Sequence, residues 1–575
     1  MRKEIGAVLR KKDGPLIVQS DFSVLLDDSH PLAEEAREKL AGFAELIKRP
    51  GVMHTYRITP LSIWNAAASG TTAEEMVGTL TAYGRYGLPR QIEEAVRRLA
   101  DRYGRLVLRR NGDGTLLLEG PEELFRELAE SPEWAGRLDG RTAAGWTVPP
   151  EQRGAIKREL VRAGYPVVDL AGYHAGESLA VALRQGDGGF ALRDYQARAL
   201  DLFYRDQDNS GGSGVIVLPC GSGKTVIGVG AIARLRSATL ILTSNATSVR
   251  QWKRELLDKT TLTDGDIGEY CGARREVRPV TIATYQMMTQ RKGKGNEFPH
   301  MQLFRQRDWG LIVYDEVHLL PAPVFRMTAE IQATRRLGLT ATLIREDGCA
   351  EDVFSLIGPK LFEMPWKMLE SKGWIASVRC CEIRLPLPEA ERPRYYAADA
   401  RTKVRLAGEN AGKLPIVEEL LRRHAGQPAL VIGQYLDQLH RLGAKLNAPV
   451  LTGEVRQEER ERLYEAFKRG EIPVLVVSKV ANFAVDLPDA AVAIQVSGSF
   501  GSRQEEAQRI GRILRPKTGG NAAWFYTLVT AQSKETEFAA KRQLFMLEQG
   551  YRYELVRLAE GSGEPMGAFK EAGGR

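Results

Sequence analysis

The sequence predicts an α/β protein in which an α+β N-terminal region precedes a longer part built around parallel sheets. The chain has 575 residues, too many for a single hydrophobic core. At roughly 150 residues per domain, this length predicts about three to five domains. From about Leu192 to about residue 530, apolar strand-like runs alternate with helical patterns, which indicates parallel α/β units. Before Leu192, short strands, hairpins and helices follow one another without that rhythm.

The N-terminal elements follow from local signals. The stretch "PLIVQSDFSVLL" (15–26) predicts two short strands around a turn, and Thr72 with Glu75 predicts a capping box at a helix start. The stretch "LPRQIEEAVRRLADRYG" (88–104) predicts a helix with Pro in its first turn and Gly at its end. A hairpin follows, and its turn is predicted at residues 111–114.

Composition limits the class of protein more than its function. The chain is 43% apolar and 27% charged, as ordinary globular proteins are, and its net charge of +8 is only a weak hint of a polyanionic partner. No run of about 18 apolar residues predicts a membrane span, so we expect a cytoplasmic, nucleoid-associated protein. The cysteines show no metal-ligand spacing and predict reduced thiols without zinc or an iron–sulfur cluster: Cys220, Cys271, Cys349, Cys380 and Cys381.

A Gly-rich loop follows the strand-like run "SGVIVL". Gly221, Ser222 and Gly223 precede Lys224 and Thr225, which open a helical pattern. Such a loop lets successive backbone N–H groups face a phosphate at a helix N-terminus, while the Lys reaches the β and γ phosphates and the Thr holds Mg²⁺. A Leu occupies the place of the first Gly in the strict pattern, so the match is to the shorter GxGK[ST] form. A Gly-rich turn without a ligand also fits this stretch taken alone.

An acidic pair follows a second buried strand. "WGLIVYDEVHLL" ends its apolar run in Asp315 and Glu316. Beside a phosphate loop, the first carboxylate is placed to contact Mg²⁺ and the second to act as base for the attacking water. Acidic pairs at strand ends are often merely solvated, so this interpretation depends on the Gly-rich loop. Together the two stretches predict an ATPase.

Two arginines near the C-terminal end share a helical face. In "EEAQRIGRILRPK", Gln508, Arg512 and Arg515 recur at i, i+4 and i+7, which places them on one side of a helix. Two guanidinium groups aimed the same way suit the charge that develops on a γ-phosphate. A solvated basic face is the simpler alternative for this helix by itself.

A mixed-charge triplet follows the apolar run "LGLTAT". Arg345, Glu346 and Asp347 come directly after what the pattern predicts to be a buried strand. Taken by itself, a mixed-charge run after a strand is explained by a solvated loop.

The order of these motifs resembles that of superfamily 2 helicases, and several stretches are similar to the XPB-type branch in its prokaryotic form. "LRDYQARAL", with Arg193 and Gln196, resembles the adenine-reading motif of that superfamily; the Gly-rich loop, "DEVH", "TAT" and "QRIGRILR" follow in the same order. "LTSNATSVRQWKREL", "LGLTATLIREDG" and "QGYRYEL" carry the closer resemblance. The stretch "ANFAVD" stands where this family has the motif known as motif V. It is more apolar than the version of that motif which the family leads us to expect.

The resemblance implies two tandem RecA-like parallel-sheet motor domains that hold ATP between them, preceded by α+β N-terminal domains. The implied domains are an accessory domain (1–103), a damage-recognition-like domain (104–190), motor domain 1 (191–365), motor domain 2 (366–555) with a short thumb-like insertion (387–413), and a flexible tail (556–575). In the insertion, Arg392, Arg394, Tyr395 and Tyr396 offer cations and stacking rings for DNA, although a solvated helix fits them equally well.

The resemblance also implies roles for single residues. It makes Lys224, Asp315, Glu316, Gln508, Arg512 and Arg515 catalytic. It assigns ATP to the adenine-reading motif and the Gly-rich loop, and Mg²⁺ to Thr225 and Asp315. DNA unwinding and coupling are assigned to His318, Thr340, Thr342, Arg345, Glu346 and Asp347.

The implied activity is ATP-dependent 3′-to-5′ DNA unwinding in repair. Three alternatives stay open: a double-stranded DNA translocase, an ATP-gated damage-binding module that recruits a nuclease, and RNA remodelling. The chain has no nuclease-like cluster of carboxylates and Lys, so cutting would need a nuclease partner.

Overall fold

The computed structural model describes residues 13–48, 52–130, 141–142, 145–184, 190–204, 211–219, 221–291, 298–332, 334–341, 350–364, 366–478, 490–498, 506, 509–511, 513 and 521–558. The chain divides into two compact units, Met1–Val217 with Thr225–Glu363 and Leu218–Lys224 with Met364–Arg575. The predicted regions 1–103 and 104–190 thus lie in the same unit as most of the region predicted to be motor domain 1. The finer domain limits stay a prediction.

A four-stranded antiparallel sheet in the order β1-β2-β4-β3 forms the beginning of the first unit. Its predicted capping box is confirmed, because the Thr72 N–H donates to Glu75 Oε2 at 2.7 Å and the Glu75 N–H donates to Thr72 Oγ1 at 3.2 Å. The elements are β1 (Leu16–Val18), β2 (Ser23–Asp27), α1 (Ala33–Leu40), β3 (Glu45–Lys48), β4 (Met53–Arg57), α2 (Pro60–Ala68), α3 (Ala73–Ala82) and α4 (Arg90–Arg102).

A second small sheet follows, with five strands in the order β7-β8-β6-β5-β9. The predicted hairpin at residues 111–114 is confirmed: the Asn111 N–H donates to the Thr115 carbonyl at 2.8 Å, and Gly114 takes φ +89° in the turn. The elements are β5 (Leu106–Arg110), β6 (Leu116–Glu119), α5 (Glu122–Glu130), β7 (Arg141–Thr142), β8 (Gly145–Val148), α6 (Arg153–Arg162) and β9 (Val167–Asp169).

The first parallel sheet has seven strands in the order β12-β13-β11-β14-β15-β10-β16. Its central strands are almost wholly buried, as strands covered on both faces must be. The elements are α7 (Asp194–Tyr204), β10 (Ser213–Val217), α8 (Lys224–Leu235), β11 (Thr239–Thr243), α9 (Ala246–Lys259), β12 (Ile267–Tyr270), β13 (Val280–Thr284), α10 (Tyr285–Met288), β14 (Leu311–Asp315), α11 (Ala322–Glu330), β15 (Arg335–Thr340), α12 (Ala350–Leu356) and β16 (Lys360–Glu363).

Helix α6 packs tightly against the helices that flank β15. A Cβ built on Gly154 would lie 2.2 Å from the carbonyl oxygen of Ala329 in α11, so only glycine allows this approach. On the same helix, Arg162 donates to Asp352 of α12 at 2.9 Å. Helix α6 therefore links the region of the small second sheet to the two helices that follow the "DEVH" and "TAT" stretches.

The second unit contains another seven-stranded parallel sheet, in the order β19-β20-β18-β21-β22-β17-β23. Two parallel sheets with helices confirm the predicted α/β class. The elements are α13 (Trp366–Ser371), β17 (Ser377–Leu385), α14 (Arg392–Ala397), α15 (Ala400–Gly408), α16 (Lys413–Arg423), β18 (Ala429–Ile432), α17 (Leu436–Leu446), β19 (Val450–Leu451), α18 (Gln457–Lys468), β20 (Val474–Val477), β21 (Val492–Gln495), β22 (Ala522–Thr530), α19 (Lys534–Glu548) and β23 (Tyr553–Arg557). Strand β23 continues to Arg557, so the first two residues of the predicted tail belong to a strand.

The polar insertion at 387–413 contains α14 and α15. Tyr395 is buried while Tyr396 is 66% exposed, and the two ring centroids lie 5.7 Å apart. Both rings and Arg392 line a cavity of about 260 Å³. An exposed ring beside a cation suits stacking on a nucleobase, and the DNA contact expected of this insertion stays a prediction. Among the helices described, none has the length and apolar character needed to cross a membrane.

Candidate nucleotide-binding site

Three strand ends that carry sequence motifs lie side by side at one edge of the first parallel sheet. Strands β14, β15 and β10 are consecutive neighbours and pair in parallel. Their carboxyl ends lead into the acidic pair, the "TAT" stretch and the Gly-rich loop. Ligands of open parallel sheets bind outside the carboxyl ends of the strands. This edge is therefore the candidate site.

The Gly-rich loop joins β10 to α8 with a backbone that requires glycine. Gly221 has φ +80° and Gly223 has φ +82°, in the left-handed region that side chains disfavour. Between them Ser222 is fully buried, and its hydroxyl donates to the Pro219 carbonyl at 2.6 Å. The loop is thus held in one shape by the chain itself.

Lys224 begins α8 and turns back toward the loop. Its side chain is mostly buried, and the ammonium donates to the Leu218 carbonyl at 3.3 Å. Thr225 follows in the first helical turn and is partly exposed. A buried ammonium beside the N-terminus of a 12-residue helix makes a site for an anion.

The acidic pair at the end of β14 has a constrained geometry. One oxygen of Asp315, Oδ2, accepts from the Trp252 indole N–H at 2.9 Å and from the Thr243 hydroxyl at 3.3 Å. The Asp315 carbonyl accepts from the Tyr285 hydroxyl at 2.9 Å. Glu316 takes the left-handed conformation, φ +52° and ψ +55°. A non-glycine residue in this region costs about 1–3 kcal/mol and is common at functional sites.

His318 connects the "DEVH" and "TAT" stretches. Its Nδ1 lies 2.8 Å from the Thr340 hydroxyl and 3.5 Å from Glu316 Oε2. His318 is 6% exposed and Thr340 is fully buried. A change at the acidic pair can therefore reach the end of β15 through one imidazole. Thr342, the last residue of "TAT", lies outside the described residues.

Gln196, one of the two residues predicted to read adenine, is more buried than a ligand-binding role suggests. Gln196 is 3% exposed, and its side-chain oxygen accepts from the Arg193 N–H at 2.9 Å, next to the start of α7. Its amide nitrogen lies 3.5 Å from the Tyr195 hydroxyl. Burial raises the pKa of Tyr195. Gln196 thus helps to order the helix start, and its contact with adenine stays a prediction.

Several predicted site residues lie outside the described part of the chain: Gln508, Arg512, Arg515, Arg345, Glu346 and Asp347. Nearby, Arg509 is 1% exposed and donates to Gln495 Oε1 at 2.6 Å. Glu506 is fully buried, and burial raises its pKa against the opposing effect of Arg542 and Arg509. These buried residues were not singled out from the sequence, because charged side chains are rarely fully buried.

Three sequence-family models match the chain. A model described as "ERCC3/RAD25/XPB C-terminal helicase" matches residues 369–571, and one described as "Type III restriction enzyme, res subunit" matches residues 189–345. A third, "Helicase conserved C-terminal domain", matches residues 16–143, where the described residues form the first small sheet with its helices and the first part of the second small sheet.

Relatives with similar sequences align along most of the chain. A "DNA 3'-5' helicase XPB" from Kineococcus radiotolerans is 53% identical over 547 residues, which cover 95% of this chain and 96% of that protein. A protein of the same name from Mycobacterium tuberculosis is 53% identical over 553 residues, covering 95% and 98%. A "General transcription and DNA repair factor IIH helicase/translocase subunit XPB" from Antonospora locustae is 32% identical, covering 97% and 84%.

Proposed function

The chain belongs to the XPB family of ATP-dependent DNA 3′-5′ helicases, and we propose that it hydrolyses ATP at the edge where β10, β15 and β14 end. The observation that supports this most is the adjacency of the three strand ends in one parallel sheet. A glycine loop, a buried ammonium and an acidic pair at one edge supply the parts that phosphoryl transfer needs.

We assign the phosphates of ATP to the loop and to α8. The backbone N–H groups of Gly221, Ser222 and Gly223 cradle them, and Lys224 places a positive charge on the β and γ phosphates. Arg193 and Gln196 are proposed to hold the adenine. To bind a phosphate, the Lys224 ammonium gives up its hydrogen bond to the Leu218 carbonyl. The ion pair with a triphosphate, which carries several negative charges, is stronger than that bond to a neutral carbonyl.

The donor set at this edge fits Mg²⁺. Asp315 and Thr225 offer carboxylate and hydroxyl oxygens, which are the ligands this ion takes, and both side chains are partly exposed. An ion held by these two residues would supply positive charge that offsets the negative charge of the phosphates. Glu316, one residue beyond Asp315, is proposed to accept a proton from the attacking water. Gln508, Arg512 and Arg515 are proposed to stabilise the charge that develops on the γ-phosphate.

A nucleic-acid panel tests the substrate assignment. ATPase activity of the wild type is measured with no nucleic acid, single-stranded DNA, duplex DNA, forked DNA and RNA, with Lys224→Ala as the background. We expect stimulation by DNA in the wild type and background activity in every arm of the variant. Equal stimulation by RNA and DNA would contradict the assignment to DNA.

The charged triplet is proposed to open the duplex. Replacing Arg345, Glu346 and Asp347 together by Ala should leave folding and most basal ATPase intact while unwinding falls by roughly tenfold, the order expected when coupling between two sites is lost. Unwinding is measured as strand release from a fluorescent 3′-tailed duplex. The matched control replaces another mixed-charge triplet, Lys468, Arg469 and Glu471, in and after α18; it should unwind as the wild type does. Equal unwinding by both variants would exclude a role of residues 345–347 in opening the duplex.

A double-stranded DNA translocase is the second candidate, because the Antonospora locustae relative is named a "helicase/translocase subunit". The same 3′-tailed duplex separates the two: DNA-stimulated ATPase without strand release would favour translocation. We further propose a role in DNA repair near the nucleoid, with cutting supplied by a nuclease partner.

A further inference from the structure

Trp252 of α9 is bonded to the carboxylate that we assign to the metal. Its side chain is 1% exposed, and its only N–H donates to Asp315 Oδ2 at 2.9 Å. A buried indole N–H needs an acceptor, and a hydrogen bond to an ionised carboxylate is among the strong ones. The contact joins residues 63 positions apart and was not predicted from the stretch "VRQWKREL".

The indole ring is held in place from its other side by the helix that begins at the phosphate loop. A Cβ built on Gly228 of α8 would lie 2.3 Å from the Trp252 Cη2 atom, so the ring rests directly on the glycine backbone. The same hypothetical Cβ would lie 3.4 Å from Leu339 of β15. Because the ring cannot move toward α8, it fixes the direction from which the N–H reaches the carboxylate.

A second donor restrains the same oxygen. The Thr243 hydroxyl at the end of β11 donates to Asp315 Oδ2 at 3.3 Å, and Thr243 is fully buried. Two donors on one oxygen define the rotation of the carboxylate group about its χ angles. The Tyr285 hydroxyl holds the backbone carbonyl of the same residue. Both the main chain and the side chain of Asp315 are thus restrained by neighbouring elements.

We propose that Trp252 is a positioning residue for the metal-binding carboxylate: its N–H fixes the orientation of Asp315, and its ring sets the separation between this carboxylate and α8. The inference rests on the proposed role of Asp315 toward Mg²⁺. Outer partners that orient a metal-binding carboxylate typically change metal affinity or activity by about 10- to 100-fold. Trp252 therefore contributes to the site without touching the nucleotide.

The test is equilibrium binding of a fluorescent, non-hydrolysable ATP analogue, measured in Mg²⁺ and in EDTA. Trp252→Phe keeps an aromatic side chain and removes the N–H donor; it also leaves a gap at Gly228, because Phe has no counterpart of the Cη2 atom that packs there, and the Trp309→Phe control accounts for the loss of volume. We expect the affinity in Mg²⁺ to fall by about tenfold while the affinity in EDTA is unchanged. ATPase activity of this variant should need a higher Mg²⁺ concentration for half-maximal rate.

Trp309→Phe is the matched control. Trp309 is 2% exposed in the same unit, and its N–H donates to the backbone carbonyl of Leu303 at 2.9 Å. This variant loses the same kind of buried bond and should keep the Mg²⁺ dependence of the wild type. If Trp252→Phe also keeps the Mg²⁺ dependence of the wild type, or if both variants lose that dependence equally, the positioning role is overturned.

Two further variants keep the inference testable on its own. Thr243→Val preserves volume and removes the second donor to Asp315. We expect it to weaken binding of the ATP analogue in Mg²⁺, by a smaller factor than Trp252→Phe. This variant tests the restraint on Asp315 if Trp252→Phe does not fold. Asp315→Asn tests the proposed metal site itself. If Asp315→Asn loses the Mg²⁺ dependence and both donor variants keep it, only the inference about Trp252 fails. If Asp315→Asn keeps it, the proposed metal site fails.

Discussion

Replacing Glu316 by Gln is expected to leave ATP binding almost unchanged while hydrolysis falls by about 10²- to 10⁴-fold, the range that a positioned general base contributes. The amide keeps the shape of the side chain and loses the ability to take a proton from water. The strained backbone at φ +52° should accept Gln as it accepts Glu, so folding is preserved. Phosphate release in single-turnover conditions gives the rate, and binding of the ATP analogue gives the affinity.

Glu330→Gln is the matched control for this prediction. Glu330 lies at the end of α11, its side chain is 53% exposed, and it is paired with Arg305. An exposed pair of this kind has little effect, so hydrolysis by the control should match the wild type. A Glu316→Gln variant that still hydrolyses ATP at more than a tenth of the wild-type rate would exclude Glu316 as the base.

Replacing Lys413 by Met is expected to lower the free energy of unfolding of the second unit by about 3–5 kcal/mol, because it leaves a buried carboxylate without its counterion. Lys413 is 1% exposed and Glu535 is 4% exposed. The ammonium lies 2.9 Å from both carboxylate oxygens and donates to the Val496 carbonyl at 2.7 Å. Burial lowers the pKa of Lys413 although Glu535 acts in the opposite direction.

Urea denaturation, with hydrogen exchange of β22 to assign the transition to the second unit, measures this loss. Lys534→Met on α19 is the control, since its pair with Glu537 is 52% and 60% exposed and should contribute no more than about 1 kcal/mol. The double variant Lys413→Met with Glu535→Leu should lose less than Lys413→Met alone, because no charge is left buried. Equal losses in the single and double variants would contradict the ion-pair argument.

Several predictions made from the sequence agree with the structure for local reasons. The capping box of Thr72 and Glu75 and the hairpin turn at residues 111–114 join residues three or four positions apart, so their geometry is set by the chain between them. The alternation from Leu192 onward predicted parallel α/β units, and both seven-stranded parallel sheets confirm it. Motif order then indicated a helicase, which the family matches confirm.

The roles of single residues were less predictable. Gln196 is predicted to contact adenine, and that role stays a prediction; what the sequence did not indicate is that its side chain is buried against Arg193 and Tyr195 at the start of α7. Trp252 was noticed only as part of a family-like stretch. Nothing within α9 itself indicates that its indole reaches a carboxylate on β14, since an apolar residue on a helix normally indicates packing alone.

By itself, the sequence determined the class of fold, the order of the elements and the motifs at the strand ends, because periodicity, capping and turn chemistry act over a few residues. Only the tertiary structure decided which side chains meet. The bond from Trp252 to Asp315 spans 63 residues and the pair of Lys413 with Glu535 spans 122. Such contacts arise when the order of strands in a sheet brings distant segments together, and no local pattern encodes the partner.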